Sequence, residues 1–247
     1  MVSQTTISIV LPVRNQAGSV ASNIAECMAV AERHCDDYEI IIVDDGSSDG
    51  TREQVDHLAA AYAPVMVLHQ PVPRGYAAAL RMAWQVARGD YILAASLAGP
   101  AGLAELPRLL AARGENAVVI GYRVPAPRSP ITAAYAAAVC AVLGTNMRDP
   151  ALRLALFRAD LAGLLPDKVP DGLVHPEIYT RARRAGMAVA QVAVTGRRGR
   201  DSLTGTAMID LVNYSPPSVR NPQGALMGAM TLAVAGGFWL LRRSRKP

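Results

Sequence analysis

Three cysteines among 247 residues are too few, and wrongly spaced, for a disulfide framework or a structural zinc site. Cys27, Cys35 and Cys140 form no C-x-x-C pair, and no histidine stands at ligand spacing from them, which fits a reducing cytoplasm. An excess of one charge is missing too. Lys plus Arg number 25 against 20 for Asp plus Glu, but Arg242, Arg243, Arg245 and Lys246 close the chain, so the body before them is almost neutral. A nucleic-acid partner calls for basic excess over a folded face, and none is expected. The N-terminus, MVSQTTISIVLPV, lacks the basic region of a secretory signal and reads as a first strand. With 51% hydrophobic and 18% charged residues, 20 Gly and 17 Pro, collagen, coiled-coil, disulfide-stapled and disordered classes are excluded. What remains is enough chain for one α/β domain of ordinary size, or two small ones, with a full core.

One long uncharged run is present. Gly224 to Leu241, GALMGAMTLAVAGGFWLL, contains Thr231 as its only hydroxyl-bearing residue and is followed by the basic tail 242–247. At 1.5 Å per residue a helix here would span about 27 Å, enough for a thin hydrocarbon core, and Trp239 would suit the headgroup boundary. The same run could pack as a buried helix against the domain or a partner. A single span from a cytoplasmic domain would carry the basic tail across the membrane, against the positive-inside tendency; a shallow insertion or a membrane-protein partner would relieve that conflict. Gly224 and Gly228 give a GxxxG spacing that could seat a second helix. Residues 215–223, SPPSVRNPQ, form the linker.

The body alternates short apolar runs with helical patterns. Ile7–Leu11, Glu39–Val43, Val65–Leu68, Tyr91–Ala95 and Ala117–Ile120 read as strands. Ser19–Arg33, Thr51–Tyr62, Tyr76–Ala87 and Leu103–Ala112 read as helices, with an Ala-rich helix later at Ile131–Leu143. Continuous apolar strands between helices predict a mainly parallel, Rossmann-like sheet covered on both faces. Ligands of such sheets bind at the carboxyl ends of strands, so the loops after Leu11, Val43 and Ala95 are the places to search.

The loop after the second strand holds Asp44, Asp45 and Asp49 within DDGSSDGT, three carboxylates that repel one another unless donors or cations face them. Asp49 is expected to cap the next helix, with Thr51 and Glu53 in its first turn. Asp44 and Asp45, at the strand tip, could accept from a nucleobase N–H or a ribose hydroxyl. His34, His57 and His69 stand without partners at motif spacing and are read as ordinary surface or half-buried histidines.

SIVLPVRNQAGSVASNI followed by YEIIIVDDGSSDGT resembles the opening of family 2 glycosyltransferases of the GT-A fold, in particular the polyprenyl-phosphate, dolichyl-phosphate-mannose-synthase-like branch. The resemblance runs on through Arg74-Gly75-Tyr76, Ala87-Arg88-Gly89-Asp90-Tyr91-Ile92, Val118 to Val124, Arg148-Asp149-Pro150, Leu156-Phe157-Arg158 and His175-Pro176-Glu177-Ile178, covering about residues 5–205. It implies a GT-A-like domain over 1–214, with a nucleotide half at about 1–115 and an acceptor half at about 116–205. It also implies an enzyme at the cytoplasmic face of a membrane that passes sugar from a nucleotide sugar to a lipid phosphate. Pro12, Asn15, Asp44 and Asp45 would then hold base and ribose, with Arg74 and Gly75 near the nucleotide.

One departure bears on the chemistry. The family's Asp-x-Asp after the fourth strand, which holds a divalent ion, reads Ser96-Leu97-Ala98. Ser96 and Ala98 cannot carry charge, and Mg²⁺ or Mn²⁺ prefers oxygen ligands that include carboxylates, so metal binding at this place is called into question. Pro73, Ala77, Ala155, Gln191 and Ala193 also replace family residues. Arg197, Arg198 and Arg200 match a basic loop that the family places near the diphosphate, where guanidinium groups could stabilise the leaving group without metal; a solvated turn or a contact with anionic lipid is the alternative. Glu177, at the start of a helix, matches an acidic residue on the family's acceptor side, or serves only the helix dipole. Three functional readings follow: a membrane-associated transferase acting on a polyprenyl phosphate, a catalytically inactive homologue that binds or scaffolds in cell-envelope glycan assembly, and an active transferase with a metal-independent or unusually liganded site.

Overall fold

The computed structural model describes residues 5–96, 103–126, 129–165 and 168–195, with Leu211 and Tyr214. The linker 215–223, the hydrophobic segment Gly224–Leu241 and the tail 242–247 lie outside the described residues, as do Ala98, Arg197, Arg198 and Arg200. Among the described residues no helix is long and apolar enough to cross a membrane.

Seven strands form one sheet: β1 (Thr6–Val13), β2 (Asp37–Asp45), β3 (Val65–Gln70), β4 (Tyr91–Ala95), β5 (Val118–Val124), β6 (Leu154–Arg158) and β7 (Val189–Thr195), in the order β3-β2-β1-β4-β6-β5-β7. Strands β1 to β4 are mutually parallel, β5 and β7 pair in parallel, and β6 runs antiparallel between β4 and β5. The expected mainly parallel sheet is present, with two strands that the apolar runs did not disclose. LALFR of β6 is five residues long, a length at which an apolar run does not distinguish strand from helix. VAQVAVT of β7 lies at the sheet edge and is mostly half-buried, so it lacks the continuous apolar signature of an inner strand.

Alternation along the strands sorts the core into two layers. Val10, Ile41, Val43, Ile92, Val118 and Phe157 pack under α3 (Tyr76–Val86), α5 (Pro130–Leu143) and α6 (Val174–Arg184). Ile9, Leu11, Ile40, Ile42, Leu93 and Leu156 pack under α1 (Val20–His34), α2 (Thr51–Ala61) and α4 (Leu106–Ala111). Helix α1 buries Val20, Ile24, Cys27 and Ala31, a single stripe at helical spacing. The helix expected over Leu103–Ala112 is split into a 3₁₀ turn at Leu103–Glu105 and α4, with Pro107 in the first turn of α4, where proline is tolerated.

At the amino edge of the sheet, Glu39 accepts from Ser8 Oγ (2.6 Å) and from the Arg88 N–H (2.6 Å), while the Gly89 N–H donates to Ser8 Oγ (2.9 Å). A Cβ on Gly89 would stand 2.5 Å from the Ser8 backbone nitrogen, so only glycine lets the turn into β4 lie against β1. Gly89→Ala should therefore cost about 1–3 kcal/mol of stability through displacement of β1. Gly163→Ala, where nothing lies within 4 Å of the added carbon, should be close to neutral, and urea unfolding of the two variants compares them directly.

Candidate functional site at the carboxyl edge of the sheet

The loops after β1 and β2 are sewn together. Asn15, in left-handed backbone at φ 50°, accepts from the Ser48 N–H at 2.9 Å, and its own N–H donates to Ser47 Oγ at 3.0 Å. The Gln16 N–H donates to Thr51 Oγ1 (2.7 Å) and the Ala17 N–H to Asp49 Oδ2 (3.1 Å). Asp49 Oδ1 accepts from the backbone N–H and the hydroxyl of Thr51 at the start of α2. Pro12, half-buried near the end of β1, pairs with Val43 of β2. Beside these loops opens a hollow of about 320 Å³ lined by Gly46, Ser47, Ser48, Gly50, Arg52, Glu53 and Pro71, large enough for one ring system of a small ligand.

Asp44 and Asp45 diverge because neighbours along a strand face opposite sides of the sheet. Asp44 is wholly buried: Oδ1 accepts from the Ser47 N–H at 3.0 Å, and Oδ2 faces Arg52 Nε at 3.2 Å and His69 Nδ1 at 3.1 Å. His69 Nε2 reaches Asp56 Oδ1 at 2.8 Å, so this histidine, unpartnered at sequence level, bridges two carboxylates through the β2–β3 pairing. Burial opposes the charge on Asp44, yet the donors Ser47, His69 and Arg52 outweigh it and hold the carboxyl below its ordinary value. Such a group adds stability that is complete above the ordinary carboxylate range and drains away as pH falls through the lowered value.

Asp45 faces α3. Its Oδ1 accepts from the Arg74 N–H at 2.6 Å, and both oxygens lie within 3.2 Å of the Gly75 nitrogen. The next two N–H groups, of Tyr76 and Ala77, donate to Asp171 Oδ2 and Oδ1, each at 2.9 Å. Asp171 belongs to the 3₁₀ turn Asp171–Leu173 before α6. Two carboxylates from distant parts of the chain thus satisfy four successive backbone donors at the start of α3, donors that a helix cannot satisfy internally. Gly75 has φ 86°, and a Cβ there would come within 2.6 Å of Asp171 Oδ2, which explains the glycine. The Arg74 side chain is exposed.

Behind this junction lies a buried polar pair. Tyr76 Oη and His175 Nε2 are 2.7 Å apart, and the imidazole stands edge-on to Phe157. Burial first, then the charge of Arg153, push His175 down to about 3, so its ring is neutral at physiological pH. The Arg153 guanidinium carbon lies 4.7 Å from the Tyr76 ring centroid, and the Ser96 N–H donates to the Arg153 carbonyl at 3.2 Å. Glu177 is wholly buried in the first turn of α6 and paired with Arg181 Nε at 3.1 Å, so its carboxylate turns to that partner and not to solvent at the carboxyl edge. Gln70, 3% exposed at the end of β3, has both amide atoms without a hydrogen-bond partner among the described residues.

The described donor set does not fit a divalent cation at the end of β4. Ser96 offers one hydroxyl, Asp45 and Asp171 are occupied by backbone donors, and the neighbouring side chain, Arg153, is itself a cation. Among the described residues no group of three or more His, Cys, Asp or Glu side chains could hold a metal ion, whereas hard cations take several oxygen ligands.

The loops after β1 and β2 and the Arg74–Gly75 turn fall within residues 8–94, which match the family model Glycosyl transferase family 2, whereas Ser96, Arg153, Asp171, His175 and Glu177 lie outside that stretch. The chain is 26% identical over 223 residues to the dolichyl-phosphate beta-glucosyltransferase ALG5C of Trichomonas vaginalis, an alignment covering 81% of this chain and 66% of that protein. It is 31% identical over 119 residues to the undecaprenyl-phosphate 4-deoxy-4-formamido-L-arabinose transferase of Aeromonas hydrophila, covering 47% of this chain and 36% of that protein. Among solved structures, glucosyl-3-phosphoglycerate synthase from Mycobacterium tuberculosis superposes with a TM-score of 0.66 at 20% identity, covering 91% of this chain and 80% of that one, a likeness of fold. The chain spans about a third to two thirds of the length of the curated relatives it matches. Over residues 8–94 the chain is thus similar to family 2 glycosyltransferases, it shares the fold of the mycobacterial synthase, and the relatives named are polyprenyl-phosphate sugar transferases.

Two variants test the electrostatics of this edge. Asp171→Ala, which strips the Tyr76 and Ala77 donors of their acceptor, should lower stability by about 1–3 kcal/mol in urea unfolding. Asp44→Asn should flatten the decline of the urea midpoint as pH is lowered below about 4, the ordinary carboxylate range; an unchanged acid branch would show that Asp44 contributes none of it.

Proposed function

We propose that the protein transfers a sugar from a nucleotide sugar to a polyprenyl phosphate at the cytoplasmic face of a membrane. The observation that carries this reading is the coupled carboxyl edge: the Asn15 loop, the DDGSSDGT loop and the Arg74-Gly75 turn are locked together beside an open hollow, within the family-matching stretch. Pro12, Asn15, Asp44, Asp45, Arg74 and Gly75 form the nucleotide side. The dolichyl-phosphate and undecaprenyl-phosphate transferases among its relatives supply the acceptor class by analogy. Glu177 acts through its pair with Arg181 on the shape of the acceptor side. Arg198, with Arg197 and Arg200, adds cations toward the leaving diphosphate, and residues 224–241 hold the domain at the bilayer.

Little acid–base help is needed. A phosphate acceptor is already an anion at neutral pH, so transfer requires alignment of donor and acceptor and stabilisation of the departing diphosphate. A form of the mycobacterial synthase was crystallised with Mn²⁺ and uridine-diphosphate, and in such sites a metal neutralises the leaving group. The Ser96 and Ala98 substitutions are the specific observation favouring the second reading, a catalytically silent homologue that keeps a nucleotide pocket and serves as a binding subunit.

The deciding experiment presents the full-length protein in detergent or nanodiscs with UDP- and GDP-sugars labelled in the sugar and with a polyprenyl phosphate. Label appearing in the lipid fraction is the expected result. Nucleotide-sugar binding without lipid labelling would select the silent homologue, and no binding of any nucleotide sugar would remove both readings.

A further inference from the structure

The end of β4 lacks carboxylates, and a guanidinium stands beside it. Arg153 is the residue immediately before β6, and β6 runs antiparallel to β4 with Leu154 opposite Ala95. That register sets Arg153 next to Ser96 at the carboxyl edge of the sheet, fixed by the hydrogen bond from the Ser96 N–H to its carbonyl. The side chain is half-buried and lies over the Tyr76 ring at the start of α3. Among the described residues no carboxylate pairs with it: Asp45 and Asp171 are taken up by the backbone of residues 74–77, and Asp149 is taken up by Arg123 at 2.6 and 2.9 Å. Behind Arg153 lie the buried Tyr76 and neutral His175, which supply no compensating charge.

A half-buried cation against aromatic and neutral groups, at the edge where α/β sheets receive ligands, has the chemistry of an anion site. We infer that Arg153 binds the donor diphosphate and replaces the divalent cation that the substituted residues Ser96 and Ala98 would not hold. This inference rests on the proposed transferase reading and makes its donor site metal-independent. In the transfer step the bond between the anomeric carbon and the diphosphate oxygen breaks with both electrons passing to that oxygen. The carbon bonds to an oxygen of the acceptor phosphate, and no proton has to move. The planar guanidinium can donate two parallel hydrogen bonds to the diphosphate, and its cation–π contact with the Tyr76 ring positions it.

The test is calorimetric titration of the full-length protein in detergent with UDP and with GDP, in Mg²⁺ and in excess EDTA. Arg153→Ala and Arg153→Gln are compared with the parent, and far-UV circular dichroism monitors folding. The expected result is equal affinity with and without the metal for the parent, and a roughly ten- to hundredfold loss in both variants, the loss of a charge-assisted pair. Binding of uridine or guanosine, followed by saturation-transfer NMR, should be unchanged in the variants, because a nucleoside carries no phosphate. Arg153→Lys, which keeps the charge without the fork, should lose less than the neutral variants. Binding of the parent that requires Mg²⁺, or equal UDP and GDP affinity in parent and folded variants, overturns the inference while leaving the transferase reading intact. Failure of the parent to bind either nucleotide overturns both.

Discussion

Four backbone N–H groups at the start of α3 must find acceptors, and the rest of the site is arranged around how they do. Asp45 takes those of Arg74 and Gly75, and Asp171 takes those of Tyr76 and Ala77. Because Asp45 ends β2 and Asp171 precedes α6, this one junction ties the first half of the chain to the second. It also directs the chemistry. A helix N-terminus attracts anions, but here the protein's own carboxylates occupy it, so among the described residues the positive charge near it comes from the side chains of Arg74 and Arg153.

The antiparallel strand β6 is the second constraint. In an all-parallel arrangement the residue beside the end of β4 would be the end of another strand. Insertion of β6 in the opposite sense brings the beginning of a strand to that place, and with it Arg153. The same strand carries Phe157 into the core against Trp84 and His175. One segment therefore supplies core packing at its far end and a cation at the carboxyl edge of the sheet, which couples that edge to the core.

The two neighbouring aspartates show how a strand divides roles. Asp44, pointed to the α2 side, closes a network with Arg52 and His69, while Asp45, pointed to α3, closes the turn at Arg74 and Gly75. Both carboxylates organise loops, and the surfaces open to a ligand are the loops they hold. The hollow beside Gly46 to Gly50 is shaped by that internal order.

Much of the fold was legible from local pattern. The apolar runs at β1, β2, β3 and β4, the stripe Val20, Ile24, Cys27 and Ala31, and the DDGSSDGT loop are features of neighbouring residues, whose geometry depends on local sterics and periodicity. Asp49 was readable as a partner of the head of α2, where it accepts from Thr51, although the N-cap position itself is Gly50 and Asp49 also holds the Ala17 N–H of the loop after β1. Only the tertiary structure decided what depends on contacts between distant segments: that β6 reverses, that His69 joins Asp44 to Asp56, that Asp171 caps a helix far from it in sequence, that Glu177 is buried against Arg181, and that Arg153 stands beside Ser96. The physical reason is that hydrogen bonding and charge pairing act through space over a few ångströms, and a sequence orders residues only along the chain.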